Sequence, residues 1–377
     1  MKKHILIIRP GAIGDTLLTF PVIQALRAQY TDPHIAFVSN ANVLPLALEF
    51  GLAEEISDYG ANQWSELFST AGIQTPALLD LLECTDLAIC WLRDPDGLVE
   101  QNLCRAEVKR VIVAPGRPPA DKRMHIVEYL AETLGLQNEV QLTAPNNAPC
   151  FSISLPGEES LSYHRYIAIH PGSGGAHKCW PAQHFAAVIE QLWQRNYPVL
   201  LLSGPADQQR VDEILGFLSD SSHSRQGDRK GRLNHLPDSS HPHQGDRKGT
   251  PLQNHGVDHF GVSVLGKGAA LPTPSRSPRL VLLQNAPLVQ VAQHLHQCRC
   301  YLGNDSGITH LAAMLGIPTI ALFGPSDPLI WRPLGRSVKI IQETPLERLN
   351  IDVVVDAIGV TLAVAPRRRG MLLPHIA

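Results

Sequence analysis

The chain reads as an α/β protein of two domains. Its 377 residues exceed what one hydrophobic core usually holds. Short apolar runs of strand length alternate with amphipathic helical patterns in both halves. Three of those runs lead through a glycine-rich turn into a helix. A net charge of −3 with 18% charged residues supplies no general attraction to nucleic acid or to a membrane surface.

In the N-terminal half the first strand, Ile5 to Arg9, enters GAIGDTLLTFPVIQALRAQY, a glycine turn followed by an amphipathic helix. Gly11 and Gly14 lack the G-x-G-x-x-G spacing of a dinucleotide site, and no Gly-Lys-Ser/Thr of a P-loop follows, which disfavours a nicotinamide enzyme. Further strands are expected at Ile35 to Val38, Leu87 to Trp91 and Val111 to Ala114, with helices between. A loop after the last of them, GRPPADKRMH, gathers Arg117, Lys122, Arg123 and His125. It suits an acidic ligand, and it also suits plain solvation.

The C-terminal half opens with a strand from Tyr166 to His170. A loop of small residues follows, then Lys178, Trp180 and a helix carrying Phe185, Val188, Ile189 and Leu192. A lysine on such a loop beside a helix start looks like a phosphate clamp, although most lysines are simply solvated. Strands at Val199 to Ser203, Val281 to Gln284, Cys300 to Gly303 and Thr319 to Phe323 complete this half.

The most informative stretch is Tyr301 to Pro328, YLGNDSGITHLAAMLGIPTIALFGPSDP. Its strand ends in Asn304, Asp305 and Ser306, and Gly307 lets a ligand approach the backbone where the next helix begins with unpaired N–H groups. That is an anion site of the kind that suits a diphosphate. Asp305 and Ser306 are equally ordinary helix N-caps.

From Asp220 to Pro278 the composition turns to His, Ser, Pro, Gly and Gln, and QGDRKG occurs twice, from Gln226 and from Gln244. Few apolar residues offset the ordering cost, so a disordered insertion is expected within the C-terminal domain. Its histidines, from His223 to His259, are irregularly spaced, and only adventitious metal binding is expected of them. Seven cysteines without C-x-x-C spacing argue against a disulfide framework and a zinc site. No signal peptide or membrane span is apparent, so a cytoplasmic location is expected.

Three segments, in order and at domain spacing, resemble glycosyltransferase family 9, the ADP-heptose:lipopolysaccharide heptosyltransferases. They are Arg9 with Gly14, Asp15 and Pro21; HPGSGGAHKCWP at His170 to Pro181; and the GNDSG turn at Gly303 with the following FGP at Phe323. The resemblance spans nearly the whole chain apart from the insertion. It implies a GT-B architecture, two Rossmann-like domains facing a cleft. Residues 1–155 would bind the acceptor, residues 156–377 the nucleotide sugar, and residues 220–278 form the insertion.

It further implies an inverting transferase that moves a sugar, heptose by resemblance, from a nucleotide diphosphate to a lipopolysaccharide-core acceptor. Such a reaction needs a base for the acceptor hydroxyl and cationic or N–H groups for the departing diphosphate. By resemblance Asp15 is the base, with a helix N-cap as its competing role. A carboxylate is a weak base, so proton transfer should follow C–O bond formation. Lys178 pairs with the diphosphate, assisted by Ser173, Gly174, Ser306 and Gly307. Asp305 orients Lys178 or accepts sugar hydroxyls, Asp207 in the GPAD turn contacts the ribose, and His310 serves the cleft or the turn's structure.

Arg9, Lys122, Arg123 and His125 are expected at the acceptor, an acidic lipid-linked saccharide, and Arg367, Arg368 and Arg369 add weak attraction to an anionic membrane surface. No metal is required, because Lys178 and amides already serve the leaving group. Asp94-Pro-Asp96 matches D-x-D only superficially, in the half assigned to the acceptor. The other readings are a nucleotide-sugar-binding relative without turnover and a two-domain sugar-nucleotide epimerase, which would modify its donor without any acceptor.

Overall fold

A computed structural model of the chain describes residues 2–140, 150–154, 166–230, 262–264 and 279–364. Strands β1 (His4–Ile8), β2 (His34–Ser39), β3 (Glu55–Asp58), β4 (Leu87–Trp91) and β5 (Val111–Ala114) form one parallel sheet in the order β3-β2-β1-β4-β5. The second sheet holds β6 (Ile167–His170), β7 (Val199–Ser203), β8 (Val262–Val264), β9 (Leu280–Gln284), β10 (Cys300–Asn304), β11 (Thr319–Phe323) and β12 (Val338–Gln342), ordered β12-β11-β10-β6-β7-β9-β8. All of its pairings are parallel except β8 on β9.

The two-domain α/β expectation therefore holds, and the strands follow from their residues. LAICW of β4 and VLLLS of β7 are buried along their whole length, as continuous apolar runs must be when helices cover both faces of a parallel sheet. β3, EISD, and β12, VKIIQ, are edge strands that went unread in the sequence. Their outward residues are polar or only half-buried, so neither makes an apolar run.

Parts of the segment expected to be a loop from Asp220 are regular. The helix Gln208–Lys230 continues past that point, and Val262–Val264 lies antiparallel on the edge of β9. The remainder of the expected insertion lies outside the described residues, as do Arg367 to Arg369.

Chain order reverses once in each sheet. After β1, β2 and β3 have been laid down in one direction, β4 returns to the other side of β1; after β6, β7 and β9, β10 returns beside β6. Loops at such a switch point diverge to opposite faces and leave a crevice at the carboxyl ends of the strands. The three glycine turns read from the sequence follow β1, β6 and β10, so they are the loops that border the two crevices.

The lobes face each other across a packed seam. One apolar cluster runs from Ile5, Phe20 and Phe37 of the first lobe to Val291, Leu311 and Met314 of the second. Phe151 joins the lobes: its ring stacks on Phe50 with centroids 4.9 Å apart, and its N–H donates to the Met314 carbonyl at 2.9 Å. Among the described residues no helix is long and apolar enough to cross a membrane.

Candidate active site

Between the lobes lies a cavity of about 860 Å³, within the range of small-molecule sites. From the N-terminal lobe Asp15 and Arg117 reach it, and from the C-terminal lobe Ser173, Gly174, Lys178, Asp207, His310 and the turn Asp305 to Gly307.

Asp15 sits in the first turn of the helix Ile13–Leu17 at the end of β1. Its Oδ2 accepts a hydrogen bond from the Ala12 N–H at 3.3 Å; Ala12 is the N-cap, so Asp15 braces the helix start from its first turn and is not the N-cap expected as its competing role. Its Oδ1 is 3.5 Å from Arg9 Nη2 and 3.6 Å from Arg117 Nη2, which leaves the carboxylate between two guanidiniums. Burial lowers the pKa of Arg9, Asp15 works against that, and Arg117 adds to it. Gly116 creates the room for this arrangement, because a Cβ there would fall 2.1 Å from Arg9 Nη1. Arg9 therefore supports Asp15 from behind.

The C-terminal lobe builds its wall from the loops after β6, β7 and β10. Asn304 ties two of them together: its Oδ1 accepts from the Trp180 N–H at 3.0 Å and its Nδ2 donates to the Pro171 carbonyl at 2.7 Å. Lys178 Nζ then donates to Asp305 Oδ2 at 2.9 Å, and Ser173 Oγ donates to the Asp305 carbonyl at 2.6 Å. Of the two roles read for Asp305, orienting Lys178 is the one the geometry realises. Ser306 caps the helix Gly307–Met314 through Thr309 N–H, which leaves the other first-turn amides to a ligand.

His170 links this turn to Asp207. Its Nε2 donates to Asp207 Oδ2 at 3.0 Å, which fixes the tautomer so that Nδ1, 3.3 Å from Ser306 Oγ, accepts. Burial opposes ionisation of Asp207, but the bond from His170 and the Gly204 N–H outweigh it and lower its pKa. A Cβ at Gly172 would lie 1.9 Å from Asp207 Oδ1, so only glycine permits this approach.

His310 stands between the two walls. Burial lowers its pKa, Asp305 and Asp15 oppose the shift and Lys178 adds to it, so the ring is within electrostatic reach of both lobes' site residues. Its Nδ1 is buried with no hydrogen-bond partner among the described residues. The lobes touch closely here: a Cβ on Gly307 would lie 2.6 Å from Ile13 Cγ2 and one on Gly14 would lie 3.2 Å from His310 Cδ2.

The other residues expected at the acceptor are engaged elsewhere, and none lines the cavity. Lys122 Nζ pairs with Glu132 at 2.6 Å, and Arg123 Nη2 with Asp327 across the seam at 2.7 Å. His125 is 1% exposed. It caps the helix Ile126–Thr133, and its Nε2 bonds the Arg332 carbonyl at 2.9 Å. Burial pushes the His125 pKa down to about 3. Arg123 and His125 thus bond across the seam, while Lys122 pairs within its own lobe, and the only cation of that loop on the cavity is Arg117, whose guanidinium stacks 5.2 Å from the Trp331 ring centroid. Sequence reading also missed the apolar end of the cavity, formed by Leu202, Leu283 and the turn Ala286 to Val289, which carries no motif.

Asp94 of the D-x-D match accepts from Val99 N–H and Glu100 N–H, both at 3.1 Å, as a helix-start cap. Among the described residues no group of three or more His, Cys, Asp or Glu could hold a metal ion.

The sequence model of glycosyltransferase family 9 (heptosyltransferase) matches residues 109–224 and 271–351, more than half of the chain. The chain belongs to glycosyltransferase family 9. Lipopolysaccharide heptosyltransferase 3 of Escherichia coli is 21% identical over 350 residues, covering 86% of this chain and 84% of the relative. The structure of E. coli ADP-heptose lipopolysaccharide heptosyltransferase II superimposes with a TM-score of 0.63 at 20% identity, covering 96% of this chain and 99% of that one. E. coli heptosyltransferase WaaC with ADP gives a TM-score of 0.58 at 16% identity, covering 95% and 99%. These likenesses establish the fold of this family 9 member, and the family establishes it as a glycosyltransferase. The motif residues at Asp15, Lys178 and Asp305 to Gly307 are thus walls of one cavity in a glycosyltransferase.

Proposed function

We propose that the chain transfers heptose from an ADP-heptose-type donor to a hydroxyl of a lipopolysaccharide-core saccharide, with inversion at the anomeric carbon. The observation that carries this reading is the division of one cavity between a carboxylate from one lobe and an ammonium with helix N-terminal amides from the other. The donor's base would lie at the apolar end between Leu202, Leu283 and Val289. Its diphosphate would lie against Lys178, Ser173, Gly174 and the N–H groups of Ser306 and Gly307, where a helix start favours anions. Asp207, already bonded by His170, would accept from the ribose.

The acceptor would enter from the N-terminal lobe. As its oxygen forms the new bond to C1, the C1–O bond to phosphate breaks and the electron pair leaves with ADP. The acceptor proton passes to Asp15 Oδ1 or Oδ2. A single displacement with nucleophile and leaving group on opposite walls inverts the anomeric carbon. Lys178 neutralises the charge that develops on the departing diphosphate. His310, which lines the cavity, would stand beside the reacting sugar.

Metal-free catalysis is part of this reading, since Lys178 and the amides occupy the place a divalent ion would serve. So is a cytoplasmic setting, with an acidic, lipid-linked acceptor presented to Arg117. The test is to incubate the protein with ADP-heptose and a heptose-acceptor core saccharide, then follow ADP release and acceptor mass. The reading requires both ADP and an acceptor heavier by one heptose. A donor altered without acceptor would instead mark an epimerase, and binding without ADP release a relative that has lost turnover.

A further inference from the structure

A second, smaller pocket of about 270 Å³ lies beside the first and shares Asn40 and Ala41 with it. It is formed by the turns that follow β1, β2 and β3, at the same carboxyl edge of the N-terminal sheet that carries Asp15. Gly11 is its wall toward the reaction: it lines the pocket, and a Cβ on it would lie 2.8 Å from Asp15 Cβ. A group seated there is separated from Asp15 by one turn of backbone.

Its chemistry is distinct from that of the large cavity. No Lys, Arg or His lines it, and its one charged side chain is Asp58. Asp58 Oδ1 accepts from the Gly60 N–H at 2.9 Å, which fixes the carboxylate and leaves Oδ2 with no donor among the described residues. Tyr59 stands beside it, tethered where its N–H donates to the Ser39 carbonyl at 2.9 Å. Asn40 is similarly set by the bond from its Nδ2 to the Gly11 carbonyl at 3.2 Å. A lone fixed carboxylate with an amide and an aromatic edge suits hydroxyl donors, whereas a phosphate or carboxylate would meet like charge. At roughly the lower limit of small-molecule sites, the volume admits a single ring and excludes a nucleotide.

We propose that this pocket seats an uncharged sugar ring of the acceptor, with Asp58 Oδ2 accepting from its hydroxyls and Tyr59 flanking the ring. The proposal rests on the acceptor side of the reading above and narrows it: the ring next to the reacting hydroxyl is neutral, and any acidic group of the acceptor lies toward Arg117.

The test uses the full-length protein with methyl α-mannopyranoside as neutral probe and mannose 6-phosphate as charged probe, both followed by saturation-transfer NMR. Binding of ADP is measured by calorimetry on the same samples. Wild type should bind the neutral probe in preference to the charged one, with or without ADP. Asp58→Asn keeps an acceptor for Gly60 N–H and should weaken the neutral probe roughly 5- to 10-fold, the difference between a charged and a neutral hydrogen-bond acceptor, while ADP binds as before. Asp58→Lys should reverse the preference toward the phosphate. Preference for mannose 6-phosphate in wild type, or neutral-probe binding unchanged in Asp58→Asn, overturns the proposal. Failure of wild type to bind ADP would refute the donor reading and leave the sugar-probe result to decide the pocket.

Discussion

Replacing Gly307 with alanine separates the approach of the two lobes from the chemistry of the anion site. The new Cβ would lie 2.6 Å from Ile13 Cγ2, 2.8 Å from Ile13 Cβ and 3.1 Å from the Gly14 nitrogen. Carbon atoms prefer about 3.5–4.0 Å, so the overlap is close to 1 Å. Inside a core such an insertion costs about 1–3 kcal/mol. Here the colliding atoms belong to different lobes, so the strain is relieved when the lobes move apart by about the same distance. Each lobe stays folded and the helix amides remain in place. Unfolding temperature should therefore change by no more than roughly 3 °C, about 1 kcal/mol for a domain of this size, and ADP affinity by no more than about 3-fold. A misplacement of about 1 Å between nucleophile and reacting carbon costs on the order of 100-fold, so kcat/KM in an ADP-release assay should fall between about 10- and 100-fold. Wild-type kcat/KM in Gly307→Ala would show that the seam seen here is not the catalytic arrangement.

Lys178→Gln removes the charge that pairs with Asp305 and, in the proposed complex, with the diphosphate. Hydrogen bonds to charged groups contribute about 1.5–3 kcal/mol, so ADP affinity by calorimetry should drop roughly 10- to 100-fold, less at high salt because the lysine is partly exposed. His125, held near a pKa of about 3 by burial, titrates near 6.5 when unfolded. Between those values the unfolded chain binds more protons, so the stabilisation is complete above about pH 6.5 and is lost as pH falls, by up to about 1.4 kcal/mol per unit. Urea midpoints measured from pH 7 to 5 should decline, and less steeply in His125→Asn. The residual slope belongs in part to His184 and His310, whose pKa values burial also lowers. Chelation with EDTA should leave turnover unchanged, and a loss restored by a divalent ion would contradict metal-free catalysis.

Much of the fold was legible because most of its strands are largely apolar runs, the edge strand Val111–Ala114 among them. Leu87–Trp91, Val111–Ala114, Val199–Ser203 and Thr319–Phe323 were read with the bounds they have. The polar edge strand EISD was not, since it gains its strand character only from pairing with β2. The cavity was legible for a similar reason. Asp15, Lys178 and Asp305 to Gly307 each follow a recognisable strand and glycine turn, and the switch points of two sheets bring those turns together. That Arg123 and His125 lie off the cavity was not legible because their partners are non-local. Nothing near Arg123 announces Asp327, and nothing near His125 announces the carbonyl of Arg332. Arg117 belonged to the same basic run, but only its packing against Trp331 separates it from its neighbours. The apolar end of the cavity, from Ala286 to Val289, reads in sequence as an ordinary turn.

The most direct measurement is acceptor-dependent ADP release from ADP-heptose by Asp15→Asn beside wild type, with ADP affinity determined on the same preparations. Asparagine keeps an acceptor for the Ala12 N–H but is no proton acceptor at neutral pH. General-base loss of this kind costs about 10²- to 10⁴-fold, so turnover should fall by at least about 100-fold while ADP binds as tightly as to wild type. Turnover by Asp15→Asn within a few-fold of wild type would mean that the proton goes elsewhere.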